Sequence, residues 1–170
     1  TATLIGQMDL NDGTSAFIGS HYTEANSEVL VRKLGSSSHA HYRANVVDLR
    51  GIAGTLTSCE GLRNNTNGGI LFADIGVMFV GASGLGITDG GSGTVGHIHF
   101  NIKDLYLTGN SGVAISVSAS ASNIIGYVDH ILELGTPTTT TAISINNASA
   151  VVKLTASEIV TDTVYNIASG

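Results

Sequence analysis

Phe79-Val-Gly-Ala-Ser-Gly-Leu-Gly-Ile87 and Leu107-Thr-Gly-Asn-Ser-Gly-Val-Ala-Ile115 decide the fold of this chain. Set one above the other, they align Phe79 with Leu107, Gly81 with Gly109, Ser83 with Ser111, Gly84 with Gly112, Leu85 with Val113 and Ile87 with Ile115. The offset is 115 − 87 = 28. It extends back to Ile70/Ile98, Phe72/Phe100 and Val77/Leu105, and forward to Phe100/Val128, Ile115/Ile143, Val117/Ile145 and Ile131/Ile159. A period of roughly 20 to 50 residues marks stacked supersecondary units. Most of the apolar groups alternate with period two, as strands burying one face do. The intervals hold no room for a helix, so successive strands must lie parallel, one rung above another. The expected fold is all-β: a short single-stranded parallel β-helix with about 28 residues per coil.

Composition agrees. With 22 Gly, 1 Pro, 12% charged and 42% hydrophobic residues, the chain is unlike a disordered one, which is highly charged and poor in apolar groups. Small residues suit tight corners. A positive mean hydropathy suggests apolar surface covered by other chains. The net charge of −6 with only 7 Lys and Arg gives no electrostatic footprint for nucleic acid. No run approaches the roughly 18 apolar residues of a membrane span, and no charged stretch followed by an apolar one indicates a classical secretion signal, which a mature protein could have lost. Thr1 is the kind of small residue that follows a removed initiator Met, so a complete short protein is expected. Cys59 stands alone, which leaves no internal disulfide framework and suits folding in a reducing site.

In chain order, residues 1–45 do not join the repeat and are expected to form an irregular N-terminal arm or cap, a candidate attachment segment. Arg32, Lys33 and Arg43 give it three of the 7 basic residues. The β-helix domain is expected over 46–170. Val47 and Leu49, placed before Ile75 and Val77 by the same offset, open a first coil. Residues 51–62 look like an insertion, and 63–69 read as a turn-rich link. Coils then follow over 70–96, 97–122 and 123–150, with Lys103 and Glu133 where a perfect copy would be apolar. A shorter last piece over 151–167 keeps Ile159 in step. The small residues of 118–122 suit close approach of another backbone. Three to four coils are near the minimum for a stable solenoid, and both ends expose strand edges.

Several residues invite a chemical reading. Glycan cleavage needs two carboxylates roughly 5 to 10 Å apart. Asp74, Asp104, Asp129, Glu133 and Glu158 are the acids of the coils, and none falls over another at the offset of the repeat. Asp104 and Asp129 come nearest, and with His130 they form a candidate carboxylate–histidine pair on neighbouring coils, suited to acid–base work. The bland reading makes them corner acids that accept backbone hydrogen bonds. His97-x-His99 places two imidazoles on one strand face, and His39-x-His41 repeats the spacing. The two pairs could meet across chains or coils, but no third metal ligand is evident and satisfied surface or interface histidines are the expectation. The glycines of Asp89-Gly-Gly-Ser-Gly93 lack the Lys-Ser/Thr and the helix of a phosphate loop. Cys59 has no activating partner in view. Neither a catalytic, a cofactor nor a metal site is therefore expected.

Over 46–170 the short Gly/Ser/Thr/Asn-rich coils, the low charge and the modest aliphatic core resemble trimeric parallel β-helix proteins of tailed bacteriophages. These are tailspikes and the small tailspike-like proteins that decorate capsids. The resemblance rests on architecture, not on a signature motif. It implies a homotrimer of chains standing side by side and an N-terminal arm bound to the major capsid protein or another virion protein. The resulting expectation is a non-enzymatic virion protein on the capsid surface that stabilises the shell without a cofactor. A tailspike-like module that binds or cleaves host-surface glycan is the alternative, and paired acids with aromatic platforms would favour it. A monomeric solenoid of a surface adhesin ranks third.

Overall fold

The computed structural model describes residues 2–66, 68–89, 96–119 and 122–167. These residues form fourteen strands: β1 (Thr3–Ile5), β2 (Met8–Leu10), β3 (Ser15–Tyr22), β4 (Val29–Lys33), β5 (Ala40–Asp48), β6 (Glu60–Asn64), β7 (Leu71–Val80), β8 (Leu85–Asp89), β9 (His97–Leu107), β10 (Val113–Val117), β11 (Asn123–Glu133), β12 (Thr141–Ile145), β13 (Val151–Val160) and β14 (Thr163–Ile167). The odd strands stack in order as one seven-stranded sheet and the even strands as a second. Every pairing is parallel. The chain is therefore a β-solenoid in which each coil after the first contributes one long and one short strand.

The repeat holds over β8, β10 and β12 of the short sheet. Leu85 pairs with Val113, Ile115 with Ile143 and Val117 with Ile145, all at the offset expected from the sequence. In the long sheet it slips. Leu71 pairs with Ile98, an offset of 98 − 71 = 27, and Ile98 with Ile124, an offset of 124 − 98 = 26. A one-residue slip exchanges the two faces of a strand. The inward residues of β7 are accordingly Leu71, Ala73, Ile75, Met78 and Val80. Phe72 and Phe79, expected inside, instead lie half-buried on the outer face. Ile131 pairs with Ile159 as the repeat requires.

The core is a set of columns along the stack. One runs Ala16, Tyr42, Ala73, Phe100, Gly126 and Leu154. Large and small side chains alternate in it: the rings of Tyr42 and Phe100 sit between residues with little or no side chain. Gly126 is the extreme case, because a Cβ there would meet the Phe100 ring at 2.6 Å. The neighbouring column, Ile18, Ala44, Ile75, Ile102, Val128 and Ala156, is aliphatic throughout. Each fully buried aliphatic side chain adds roughly 1.5–3 kcal/mol.

Each long strand from β3 to β13 changes pleat phase once. The inward positions of β9 run Ile98, Phe100, Ile102 and then Leu105, Leu107. The shift falls on a column of corner residues, Gly19, Asn45, Gly76, Lys103, Asp129 and Ser157, which the ladder pairing skips. This corner explains why Lys103 breaks the apolar pattern: it is an exposed bend residue.

A second column governs the turn before each short strand. Ser27, Ser58, Ser83, Ser111 and Thr139 all have φ between 53° and 60°, the left-handed region. Each lies just ahead of β4, β6, β8, β10 or β12. The amide of each of the first four donates to the carbonyl preceding its counterpart in the next coil: Ser27 to Thr57, Ser58 to Ala82, Ser83 to Asn110 and Ser111 to Thr138, at 2.8–3.1 Å. The left-handed turn residue thus frees an amide that ties one coil to the next.

Residues 1–45 do not form a separate irregular arm. β1 to β5 join the same two sheets, and the expected boundary at 45/46 falls inside β5. Their spacing hid them. Thr3 pairs with Ser20, Met8 with Val31 and Val29 with Glu60, each at a different offset and none at that of the later coils. Polar groups replace aliphatic ones in these coils. His21 is fully buried, accepting from or donating to Tyr42 Oη (2.9 Å) through Nδ1 and facing the Gly6 carbonyl (2.8 Å) through Nε2. Lys33 is also fully buried, with Nζ donating to Asp12 at 2.8 Å and to the Gly35 carbonyl. That ammonium holds the Asp12 carboxyl down at about 2. The expected insertion over 51–62 is in part a real one. The chain between β5 and β6 lengthens this coil, but its end, from Glu60 on, is β6.

Candidate functional site

Because the core takes mostly small aliphatic residues, the rings go outside. Among the four Phe and five Tyr, only Phe100 and Tyr42 belong to the core. The outer face of the long sheet gathers several of the others. One outward column runs Ser15, His41, Phe72, His99, Ile125 and Lys153, and the next runs Phe17, Arg43, Asp74, Asn101, Tyr127 and Thr155.

The two histidine pairs do not meet one another; three of their four members, His39, His41 and His99, gather around Phe72 of the first column. His41 stacks on the phenyl ring at 4.9 Å, and His39 and His99 approach it edge-on at 5.4 and 5.3 Å. The phenyl ring occupies the rung between His41 and His99, so the imidazoles meet a hydrocarbon and not one another. Among the described residues no three His, Cys, Asp or Glu side chains come together to hold a metal ion.

The second column and the corner enclose an open groove of about 620 Å³ lined by Arg43, Asn45, Asp74, Asn101, Lys103, Tyr127 and Asp129. It spans four neighbouring strands of the long sheet, β5, β7, β9 and β11. Gly76 lies in its floor, where a Cβ would meet the Asn45 carbonyl of the neighbouring rung at 2.5 Å. The Tyr127 hydroxyl donates to Asp129 at 2.5 Å, which fixes ring and carboxylate together. At the upper end the Arg43 guanidinium lies 5.4 Å from the centroid of the exposed Phe17 ring. The groove offers donors and acceptors of both signs beside two aromatic faces. Asp74 and Asp129 share it two rungs apart, about 9–10 Å along the stack, at the upper end of the spacing that an acid pair for glycan cleavage uses. Asn101 and Lys103 occupy the rung between them.

The carboxylate–histidine pair forms just past the corner. His130 Nδ1 lies 2.7 Å from Asp104 Oδ1, on neighbouring rungs. Asp104 thereby orients the imidazole, as the acid of a catalytic dyad would. Asp129 is not its partner, being held by Tyr127. Glu158 follows His130 in the same outward column. Glu133 belongs to a corner, accepting from the Thr140 hydroxyl and from the Asp162 amide at 3.0 Å. Cys59 is buried, with its thiol against the carbonyls of Ala25 and Thr57. Asp89 accepts from the amides of Ser118 and Ala119 (3.0 and 2.6 Å) and from the Ser118 hydroxyl (3.1 Å), so it acts as a corner brace. The glycine loop that follows it, 90–93, lies outside the described residues, as do 120–121 of the small-residue run and Asn67 of the turn-rich link.

Asn45, Asn101 and Tyr127 attract no attention in the sequence as site residues, and Arg43 figures there only as a basic residue of the expected arm. Their column neighbours lie at unequal distances along the chain, and only the true register brings them to one place. Alternation alone could have placed Asn101 and Tyr127 on the outer face.

At the N-terminal end a smaller apolar hollow is lined by Ile5, Thr23, Glu24, Gly51, Ile52, Ala53 and Leu56. Ile52 is 67% exposed at its rim. Comparison with protein-family models, with curated proteins and with solved structures finds no match to the chain.

Proposed function

We propose that the chain is a non-enzymatic structural protein of a tailed-bacteriophage particle, a homotrimeric β-helix that decorates the capsid and stabilises it. The observation that carries this reading is where the apolar surface lies. Apolar groups gather on the surface in patches, around Phe72 on the outer face and around Ile5 and Ile52 at the N-terminal end, as surface that contacts protein does. Stacked parallel sheets joined coil to coil at every rung also suit a load-bearing part. The capsid contact falls to the folded N-terminal coils, where Ile5 and Ile52 border the apolar hollow, and not to a loose arm. Two measurements test the reading. Light scattering should give a mass near three times 17.3 kDa. Shells lacking the protein should bind it and gain heat resistance, and Ile52→Glu should abolish the binding without changing the mass. A monomer that shells ignore overturns the proposal.

One observation favours a second reading, a tailspike-like receptor-binding module. The groove at Asp74, Asn101 and Tyr127 combines planar hydrogen-bonding groups with ring faces, the combination that polyhydroxylated ligands use. Calorimetric titration with surface polysaccharide of the host would show binding abolished by Asn101→Ala and Tyr127→Ala. Unchanged titrations in both variants would exclude the groove.

A further inference from the structure

The long strands bend at their corner, so the sheet they build presents one outer face before the bend and another beyond it. The groove lies on the first. On the second, two outward columns run along the stack: Val46, Val77, Asp104, His130 and Glu158, and beside them Asp48, Phe79, Tyr106, Leu132 and Val160. The second column is a wall of side chains already locked together. Arg50 lies over the Phe79 ring at 4.4 Å, and Phe79 stacks on Tyr106 at 5.4 Å with the rings 18° from parallel. Asp48 in turn accepts from Nε and Nη2 of Arg50 at 2.8 and 2.7 Å. Leu132, half-buried, and Val160, 48% exposed, carry the wall on. In the first column Val46 and Val77 are apolar and half-buried, and Asp104 and His130 satisfy each other at 2.7 Å. The charges of this face are thus paired, the exposed Glu158 excepted.

The other outer faces differ. On the groove face Arg43, Asp74 and Lys103 take part in no ion pair among the described residues. The short sheet shows a polar column outside, Arg32, Arg63, Thr88, Ser116 and Ser144. Covering the groove face would strip water from unpaired charges. The wall carries few such groups, and its rings and guanidinium are ordered in advance, which lowers the entropy cost of contact. Tyr, Phe and Arg are also the side chains that protein interfaces concentrate.

We infer that this face is where copies of the chain meet, side by side and pointing the same way, about an axis parallel to the stack. The inference rests on the trimer proposed above and assigns the face that builds it. The wall spans about 19 Å of the stack at roughly 4.8 Å per rung. A second stack with the same rung spacing matches its rows of side chains throughout. Rotation about a parallel axis sets each rung against the same rung, so the apolar rung of Val77 and Phe79 meets itself. A copy pointing the other way about Tyr106 would set that rung against the rung of His130 and Leu132. The groove and the apolar hollow at the N-terminal end then stay open to other partners.

The test uses the full chain and outward positions whose replacement leaves the core untouched. Light scattering on the parent should give a mass near three times 17.3 kDa. Val77→Arg and Leu132→Glu should each lower it to that of one chain, with circular dichroism confirming the sheet content. Thr155→Arg on the groove face and Ser116→Arg on the short sheet should keep the threefold mass. A second measurement needs no charged variant to fold. The thiol of Leu132→Cys should resist a thiol reagent in the assembled protein and react on dilution to single chains. That of Asn101→Cys should react in both, while Cys59 is buried and stays silent. A threefold mass that survives both Val77→Arg and Leu132→Glu overturns the assignment and leaves the trimer standing. So does a Leu132→Cys thiol that reacts at once in the assembly, or loss of the threefold mass in Thr155→Arg. A parent that never reaches three chains overturns the trimer itself, and this inference with it.

Discussion

Replacing Gly126 by Ala puts the inner column of alternating large and small residues to a quantitative test. The added Cβ would lie 2.6 Å from three ring carbons of Phe100. That is about 1 Å inside the ordinary carbon contact of roughly 3.5–4.0 Å. Phe100 is buried and has Ala73 on its other side, so the ring can retreat only by pressing on the next rung. Inserting a methyl into a packed core costs about 1–3 kcal/mol. Against this, the alanine restricts the unfolded chain and returns about 0.5–1 kcal/mol. The net expectation is a loss of about 1–2 kcal/mol. In urea titration this appears as a lower midpoint with an unchanged slope. Shrinking the ring should relieve the clash, so Gly126→Ala with Phe100→Leu should be more stable than the sum of the single losses by at least about 0.5 kcal/mol. If Gly126→Ala matches or exceeds the parent protein, or if the two changes simply add, the large-over-small account of the core is wrong.

Three further outcomes are expected. Burial holds His21 below its ordinary value of 6.5, so its neutral form is the folded one. The unfolded chain then binds the extra proton, and this part of the stability is full above about pH 6.5 and is lost as the pH falls below it; denaturant midpoints from pH 8 to pH 5 should drop more in the parent than in His21→Gln, and equal drops would refute it. Ser83 is an exposed left-handed residue, so Ser83→Gly should raise stability by about 0.5 kcal/mol, seen as a higher thermal midpoint. Asp89→Ala strips the acceptor from the Ser118 and Ala119 amides and should cost about 2–3 kcal/mol by urea unfolding, with a smaller loss for Asp89→Asn.

The solenoid was legible because β8, β10 and β12 repeat at one spacing and the turns before β8 and β10 carry a recurrent small residue, Ser83 above Ser111. The long strands were harder to read. Their corner inserts a phase shift, so inward residues obey alternation on either side of Lys103 but not across it. A single fixed period then set Phe72 and Phe79 on the wrong face. The first coils were illegible for a different reason. The step from Thr3 to Ser20 is little more than half that from Val29 to Glu60, which breaks any fixed period, and buried His21 and Lys33 carry no apolar signature. At the candidate site, the Asp104–His130 contact could be anticipated because adjacent rungs are bound to bring such residues together. The groove could not, since its lining comes from several coils with unequal offsets.

The left-handed turn column has a consequence for how such a chain can change. From Ser27 to Thr139 it recurs at every coil, although the step from one member to the next is uneven, longest from Ser27 to Ser58 and shortest from Ser58 to Ser83. Length therefore varies in the rim while the threaded turn stays in place. The bulge at 51–56 shows how: it is carried outside the stack, and β6 still docks between β4 and β8. New segments, from a recognition loop to a whole inserted domain, could be grafted at such bulges without rephasing the coils. A solenoid of this kind separates the part that sets its pitch from the part that is free to acquire new contacts.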